Sequence, residues 1–167
     1  MNCTVIGLGY IGLPTSAILA NAGHEVLGVD TNQKVINSLK EQKVHINEPG
    51  LNNLVKKHYE KKNLRFSRYV DYSDVFIITV PTPFKGYDKG QIPIPDLTYV
   101  INAANSIIEK VKPGNLIILE STSPVGTTEM IGKLISDKTG FSTNDIHIAY
   151  CPERVIPGNI IKELVEN

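Results

Sequence analysis

Short apolar runs alternate along this chain with longer stretches whose apolar positions recur every three or four residues. The short runs are Thr4-Val5-Ile6, Glu25 to Val29, Leu64-Arg65-Phe66, Val75 to Val80, Leu116 to Leu119 and His147 to Tyr150. Most lack the apolar–polar alternation of a half-exposed strand, so they predict strands buried on both faces of a parallel sheet. Between them the helical period predicts a helix from about Tyr10 to Ala22, with Pro14 tolerated in its first turn and Asn21-Ala22-Gly23 as the stop. A second helix turns Val35, Ile36 and Leu39 inward. Asn47-Glu48-Pro49-Gly50 then breaks the chain before a third, which runs through Leu54 and Val55 to about Lys61 and carries a basic, solvated face.

The second half repeats the alternation. After Pro81-Thr82-Pro83 an irregular loop, Phe84 to Pro95, leads to Asp96, which reads as the cap of a long helix. Its stripe is Leu97, Val100, Ile101, Ala104, Ile107, Ile108 and Val111, and Pro113-Gly114 ends it. Ser123-Pro124 is expected to cap and start the next helix, with Met130, Ile131, Leu134 and Ile135 inward. A last helix begins near Ile161. Strands and helices thus alternate about six times with no linker or repeat. This predicts one α/β domain over residues 1–167, a doubly wound, mostly parallel sheet with right-handed crossovers.

Composition narrows the picture. Seventeen basic and seventeen acidic residues cancel, so no nucleic-acid or membrane-surface partner is marked. No apolar run approaches the roughly 18 residues of a membrane span, and Met1 leads into a strand instead of a signal peptide, so a cytoplasmic protein is expected. Cys3 and Cys151 should lie at opposite ends of a parallel sheet and form no disulfide. Cys151 has no histidine nearby in sequence to activate it and reads as a small buried residue. The four histidines show no ligand spacing with either cysteine, so no metal is expected.

The candidate chemistry begins at Gly7-Leu8-Gly9-Tyr10-Ile11-Gly12, between the first strand and the first helix. A glycine-rich turn alone is a weak signal. Here it follows a strand, opens a helix, and precedes a second strand that ends on Asp30 at the spacing of a dinucleotide-binding unit, which makes the sheet Rossmann-like. Gly7 would make the tight turn, Gly9 would let the backbone approach a pyrophosphate, and Gly12 would let helix and strand pack closely. The helix behind them aims free N–H groups at the phosphates. Asp30 could accept from both hydroxyls of an adenosine ribose and would repel a 2′-phosphate, which favours NAD over NADP. Lys34, one turn beyond, could reach the ribose or a phosphate, or be merely solvated.

Ligands of doubly wound sheets bind at the carboxyl ends of the strands, and Asp30, Thr82, Thr122 and Glu153 all fall there. Thr82 and Thr122 could face the cofactor, or each could satisfy its own turn. Glu153 could position or deprotonate a water or hold the nicotinamide. Arg154 suits a pyrophosphate or carboxylate. The plain alternative is a surface Glu–Arg pair.

These pieces together resemble the nucleotide-sugar 6-dehydrogenases, the UDP-glucose/GDP-mannose dehydrogenase family. The matching stretches are Val5 to Gly12, Val29-Asp30, Val80 to Pro83, Glu120 to Thr128 and Tyr150 to Arg154, in the family's order over nearly the whole chain. Tyr150 to Gly158 is most similar to the UDP-N-acetyl-mannosamine dehydrogenases, since UDP-glucose relatives tend to carry a second Glu where this chain has Pro157. The resemblance implies that Tyr10, Ile11, Asp30, Thr82 and Thr122 contact NAD. It assigns Arg154 and Val155 to the sugar nucleotide, and Glu153 with Thr122 to the catalytic centre. It implies oxidation of a primary alcohol to a carboxylate in two NAD-dependent hydride transfers, through a thiohemiacetal on a cysteine. The family's cysteine and lysine lie in later segments, in a helical middle and a carboxyl-terminal domain, and neither Cys3 nor Cys151 matches the nucleophile's motif. The chain is therefore expected to be the amino-terminal domain of a longer, homo-oligomeric enzyme and inactive alone. A stand-alone NAD-binding or regulatory module, a dehydrogenase of another UDP-sugar (UDP-GlcNAc, UDP-glucose), and a hydroxyacid or hydroxyacyl dehydrogenase stay open as alternatives. A methyltransferase fits least, because the turn has the spacing for a pyrophosphate.

Overall fold

A computed structural model describes residues 1–86, 90, 92–142 and 144–166. The chain runs β1 (Asn2–Ile6), α1 (Gly12–Asn21), β2 (Glu25–Val29), α2 (Gln33–Lys40), α3 (Leu51–Glu60), β3 (Leu64–Ser67) and β4 (Val75–Ile78). It continues through α4 (Thr98–Ile107), β5 (Leu116–Leu119), α5 (Thr127–Thr139), β6 (His147–Tyr150) and α6 (Ile160–Glu166). The six strands form one parallel sheet in the order β3-β2-β1-β4-β5-β6. The order reverses between β1 and β4, and that crevice is where such sheets take their ligands.

The two-residue period of the strands sorts the core into two layers. Cys3, Val5, Val75 and Ile77 join the layer covered by α1, α2 and α3, with Leu13, Ala17, Ile36, Leu39, Leu51 and Val55. Ile6, Phe76 and Ile78 point the other way, into Val100, Ala104 and Ile107 of α4 and Ile131 and Ile135 of α5. Side chains this size, fully buried, each contribute about 1.5–3 kcal/mol. Both faces of β1 and β4 are therefore apolar, as the unbroken run Val75 to Ile78 required.

Several expectations shift. The helix predicted from Tyr10 starts at Gly12, because the glycine turn occupies the preceding residues and leaves Tyr10 on the surface. The strand predicted to Val80 ends at Ile78: the Thr79 hydroxyl donates to the carbonyls of Ile6 and Gly7 and draws the chain out of the ladder. The helix predicted from Ser123-Pro124 starts at Thr127. Gly126 takes a left-handed turn (φ +89°) just before it, and the Ser123 hydroxyl donates to the Ser121 carbonyl instead of capping. In that helix Ile131 and Ile135 are buried, while Met130 and Leu134 are half-buried. The helix–strand alternation is also uneven, since two helices lie between β2 and β3 and none between β3 and β4. The N-cap of α4 is Leu97; Asp96, expected as the cap, lies one residue earlier, where its carboxylate accepts from the Thr98 N–H and hydroxyl. The Phe84–Pro95 loop is closed at its base by a bridge between those two residues, and residues 87–89 and 91 lie outside the described residues.

Cys3 is buried at the amino ends of the strands, as expected. Cys151 is exposed, against the expectation, because β6 is the sheet's edge and little covers its end. Both cysteines are free.

Candidate functional site

The glycines of the turn divide by what surrounds them. Gly7 has φ +97°, and a Cβ there would sit 2.8 Å from the Thr79 carbonyl oxygen. At Gly12 a Cβ would lie 1.8 Å from the Gly7 carbonyl oxygen and 2.3 Å from the Thr79 hydroxyl. These two glycines are demanded by the protein's own packing. A Cβ at Gly9 would meet no atom within 4 Å. Nothing in the fold asks for glycine there, whereas a ligand backbone passing over the turn would.

Asp30 locks this turn to the end of β2. Its Oδ2 accepts from the Leu8 N–H at 2.9 Å and its Oδ1 from the Asn32 N–H at 2.8 Å. Each carboxylate oxygen accepts about two hydrogen bonds, so both retain capacity for ribose hydroxyls. A cleft of about 850 Å³ opens beside it, lined by Gly7, Gly9, Asp30, Asn32, His45 and Arg68 among others. Lys34 is not among its lining residues; its N–H serves the Asn32 cap of α2.

Sequence reasoning missed three members of this cleft. The His45 imidazole Nε2 lies 2.9 Å from the Leu8 carbonyl and steadies the glycine turn from the loop before α3. Arg68 and Tyr69 follow β3, with the guanidinium 5.9 Å from the ring centroid. The rule that ligands gather at strand ends marks the end of β3 as it marks Asp30, so that pair had a usable signal. His45 had none, since only the fold carries it to the turn.

The other half of the edge is built from β4, β5 and β6. Thr82 donates to the Thr122 carbonyl at 2.7 Å, and Ser121 to that of Val80 at 2.7 Å, so the ends of β4 and β5 are tied together. Thr82 and Thr122 thus meet, but as donor and carbonyl acceptor; neither lines the large cleft. Glu120, at the end of β5, was not singled out from the sequence. It is only 7% exposed, and burial pushes its carboxyl up to about 7, against the lowering effect of the Thr15 hydroxyl, which donates to it at 3.3 Å. Glu153 adds negative charge nearby and raises it further. A Glu closing the apolar run Leu116 to Leu119 was its signal.

Glu153 itself is half-buried with Oε1 enclosed, and that atom has no hydrogen-bond partner among the described residues. Its carboxyl is pushed up, mainly by burial, with the Val155 N–H pulling the other way. The same neighbourhood pushes the Cys151 thiol up, first by burial and then through the charges of Glu120 and Glu153. That is the opposite of what activates a thiolate. Arg154 is exposed and Val155 half-buried on the same loop. Among the described residues no group of three or more His, Cys, Asp or Glu side chains is placed to hold a metal. Among them, too, no helix is long and apolar enough to cross a membrane.

The sequence profile of the NAD binding domain of the UDP-glucose/GDP-mannose dehydrogenase family matches residues 1–167. The chain belongs to this family. As that family's NAD-binding domain, it takes NAD as its cofactor. A UDP-N-acetyl-D-mannosamine dehydrogenase of Methanococcus vannielii is 49% identical over 163 residues, covering 98% of this chain and 36% of the relative. The UDP-N-acetyl-mannosamine dehydrogenase structure from Staphylococcus aureus superposes with a TM-score of 0.93 at 43% identity, covering 100% of this chain and 40% of that one. The structure of a UDP-D-ManNAc dehydrogenase from Pyrococcus horikoshii gives 0.92 at 39% identity, covering 98% and 39%. The family domain described here therefore spans less than half the length of these relatives.

Proposed function

We propose that this chain is the amino-terminal NAD-binding domain (residues 1–167) of a nucleotide-sugar 6-dehydrogenase that oxidises UDP-N-acetyl-mannosamine to its uronic acid, and that it has no turnover alone. The observation that carries the reading is the contrast between Gly9 and its two neighbouring glycines. The turn is packed tight at Gly7 and Gly12 and left open at Gly9, beside the one carboxylate that ends β2. That is a cradle for a pyrophosphate with a ribose acid next to it, so the residues fit the cofactor. NAD, when bound, supplies the hydride acceptor.

The chain's own groups then have definite tasks. Gly7, Gly9, Tyr10, Ile11 and Gly12 form the phosphate turn. Asp30 holds the ribose and disfavours a 2′-phosphate. Lys34 remains a candidate for the outer rim, and Thr82 and Thr122 for the nicotinamide end. Glu153, partly desolvated and with an oxygen that has no partner among the described residues, takes or positions a proton near the sugar, beside the protonatable Glu120. Arg154 and Val155 meet the sugar nucleotide. Neither cysteine suits a nucleophile's role: Cys3 is buried at the far end of the sheet, and the Cys151 thiol is pushed up first by partial burial and then by the charges of Glu120 and Glu153. The UDP-sugar partner, a homo-oligomeric whole protein and a cytoplasmic location belong to the same proposal.

A second sugar is favoured by one observation. An NDP-N-acetyl-D-galactosaminuronic acid dehydrogenase of Ralstonia solanacearum is 43% identical over 172 residues, not far below the mannosamine enzymes. The test is NADH absorbance with a panel of UDP-N-acetylhexosamines and UDP-glucose. It uses the 167-residue chain and the same chain extended past Asn167. The expected result is NAD binding by both and turnover, fastest with UDP-N-acetyl-mannosamine, by the extended protein alone. Steady uronic acid production by the short chain would overturn the reading.

A further inference from the structure

The loop that carries Cys151, Glu153, Arg154 and Val155 leaves β6 at an open sheet edge, and most of its residues up to Asn159 are exposed. Its entry is held by the Cys151 N–H donating to the Leu119 carbonyl. Glu163 of α6 accepts from the Ile156 N–H and the Asn159 side chain, which shapes the loop against its own helix but ties it to nothing else. The exit is held differently. Glu48, from the break before α3, is only 6% exposed and reaches across more than a hundred residues of sequence. Its Oε2 accepts from the Gly158 N–H and its Oε1 from the Ile160 N–H, both at 2.7 Å.

The Leu51 N–H closes on the Glu48 carbonyl. Gly50 takes a left-handed turn (φ +81°) that favours glycine, with Ile161 of α6 packed at ordinary contact distance beside it. Ile160, the anchor of the exit, is 1% exposed. A buried carboxylate accepting two short N–H bonds is a strong, directional tie. It also has little freedom, because either oxygen left unpaired would be a desolvated charge. Three residues earlier His45 contacts the glycine turn, so this connection reaches both halves of the edge.

We infer that Glu48 is a positioning residue for the substrate loop: by holding Gly158 and Ile160 it sets where Glu153 and Arg154 stand. It touches neither NAD nor sugar and acts through the loop alone. The inference rests on the dehydrogenase reading above, since that reading makes Glu153 and Arg154 the groups whose placement matters.

The test uses Glu48→Gln and Glu48→Asp. The amide keeps the shape but sets an N–H₂ against one of the two backbone donors. The aspartate keeps the charge but falls one methylene short, and serves should the amide variant fold poorly. In the 167-residue chain, the Gly158 and Ile160 amides should exchange with solvent at least about tenfold faster, with the dissociation constant for NAD unchanged within about twofold. In the protein extended past Asn167, kcat/KM for the UDP-sugar should fall by about a hundredfold, the scale for an ångström of misplacement, with a clear rise in KM. A merely structural role would lower the active fraction, reducing kcat and NAD binding capacity together while leaving KM alone. That pattern, or unchanged amide exchange, would overturn the inference. Should the unmodified extended protein oxidise no UDP-sugar, the dehydrogenase reading is what fails. The amide exchange, with the chemical shifts of Glu153 and Arg154, then still decides whether Glu48 positions the loop.

Discussion

The two halves of the carboxyl edge are built by different means. Around β1 and β2 the site is made largely of backbone: Gly7 and Gly12 packed to the limit, an Asp30 carboxylate anchored by one N–H on each oxygen, and a strand pair between two apolar layers. Around β5 and β6 it is made of side chains: two carboxyls with raised pKa values, two threonines at the strand ends, and an exposed loop that Glu48 pins from a distance. A backbone site is rigid and has little left to adjust, which suits a cofactor common to many substrates. A side-chain site is protonatable and movable, which suits the sugar-binding and proton-handling roles proposed for this half.

The contrast is sharpest between two glycines of the same turn. Gly12→Ala should cost about 3 kcal/mol or more of stability, because the new methyl group would overlap a carbonyl oxygen that cannot move without opening the turn. Gly9→Val should leave the urea midpoint nearly unchanged and abolish NAD binding in calorimetry. Should the Gly9 variant bind NAD normally, the turn does not lie at the phosphates and the backbone half is only structural.

The next effect belongs to the other half. Glu120 has a carboxyl raised from its ordinary value to about 7. Between roughly pH 4.5 and 7 the folded state therefore holds a proton that the unfolded state has released. Stability then falls as pH rises through that window, by roughly 3 kcal/mol for a shift of this size. Glu120→Gln should remove that fall: its unfolding free energy should change much less between pH 4.5 and 7.5 than that of the unmodified chain. Parallel pH profiles for the two proteins would mean that Glu120 is ionised throughout, and that the side-chain half carries no stored proton.

A smaller change is expected at Asp30. Asp30→Ala should weaken NAD binding by about 1–3 kcal/mol, the range for losing hydrogen bonds to a charged group. Part of that loss would come through the turn, since the Leu8 and Asn32 N–H groups lose their acceptor too. Asp30→Asn separates the parts. It keeps one acceptor oxygen and removes the charge, so discrimination against NADP should narrow more than NAD affinity falls. Equal binding of NAD and NADP by the unmodified chain would remove the ribose role.

What could be read from the chain follows the same division. The glycine turn, Asp30 and the six strands are local: each depends on the period of apolar residues or on a spacing within some thirty positions, and the fold keeps them. The misplacements fell where a neighbour decides. Thr79 ended β4 early because two carbonyls of the glycine turn were within reach of its hydroxyl. Cys151 stayed exposed because β6 lies at the sheet's edge, and strand order is a tertiary fact.

The sequence by itself determined a doubly wound domain with a dinucleotide turn and its acid, because hydrophobic period and glycine stereochemistry act over neighbouring residues and need no partner. Only the tertiary structure decided that His45 braces that turn, that Glu120 and Glu153 share one desolvated corner, and that Glu48 holds a loop more than a hundred residues away. Desolvation and long-range hydrogen bonds exist only once the chain has brought distant groups together, so no spacing along the sequence records them.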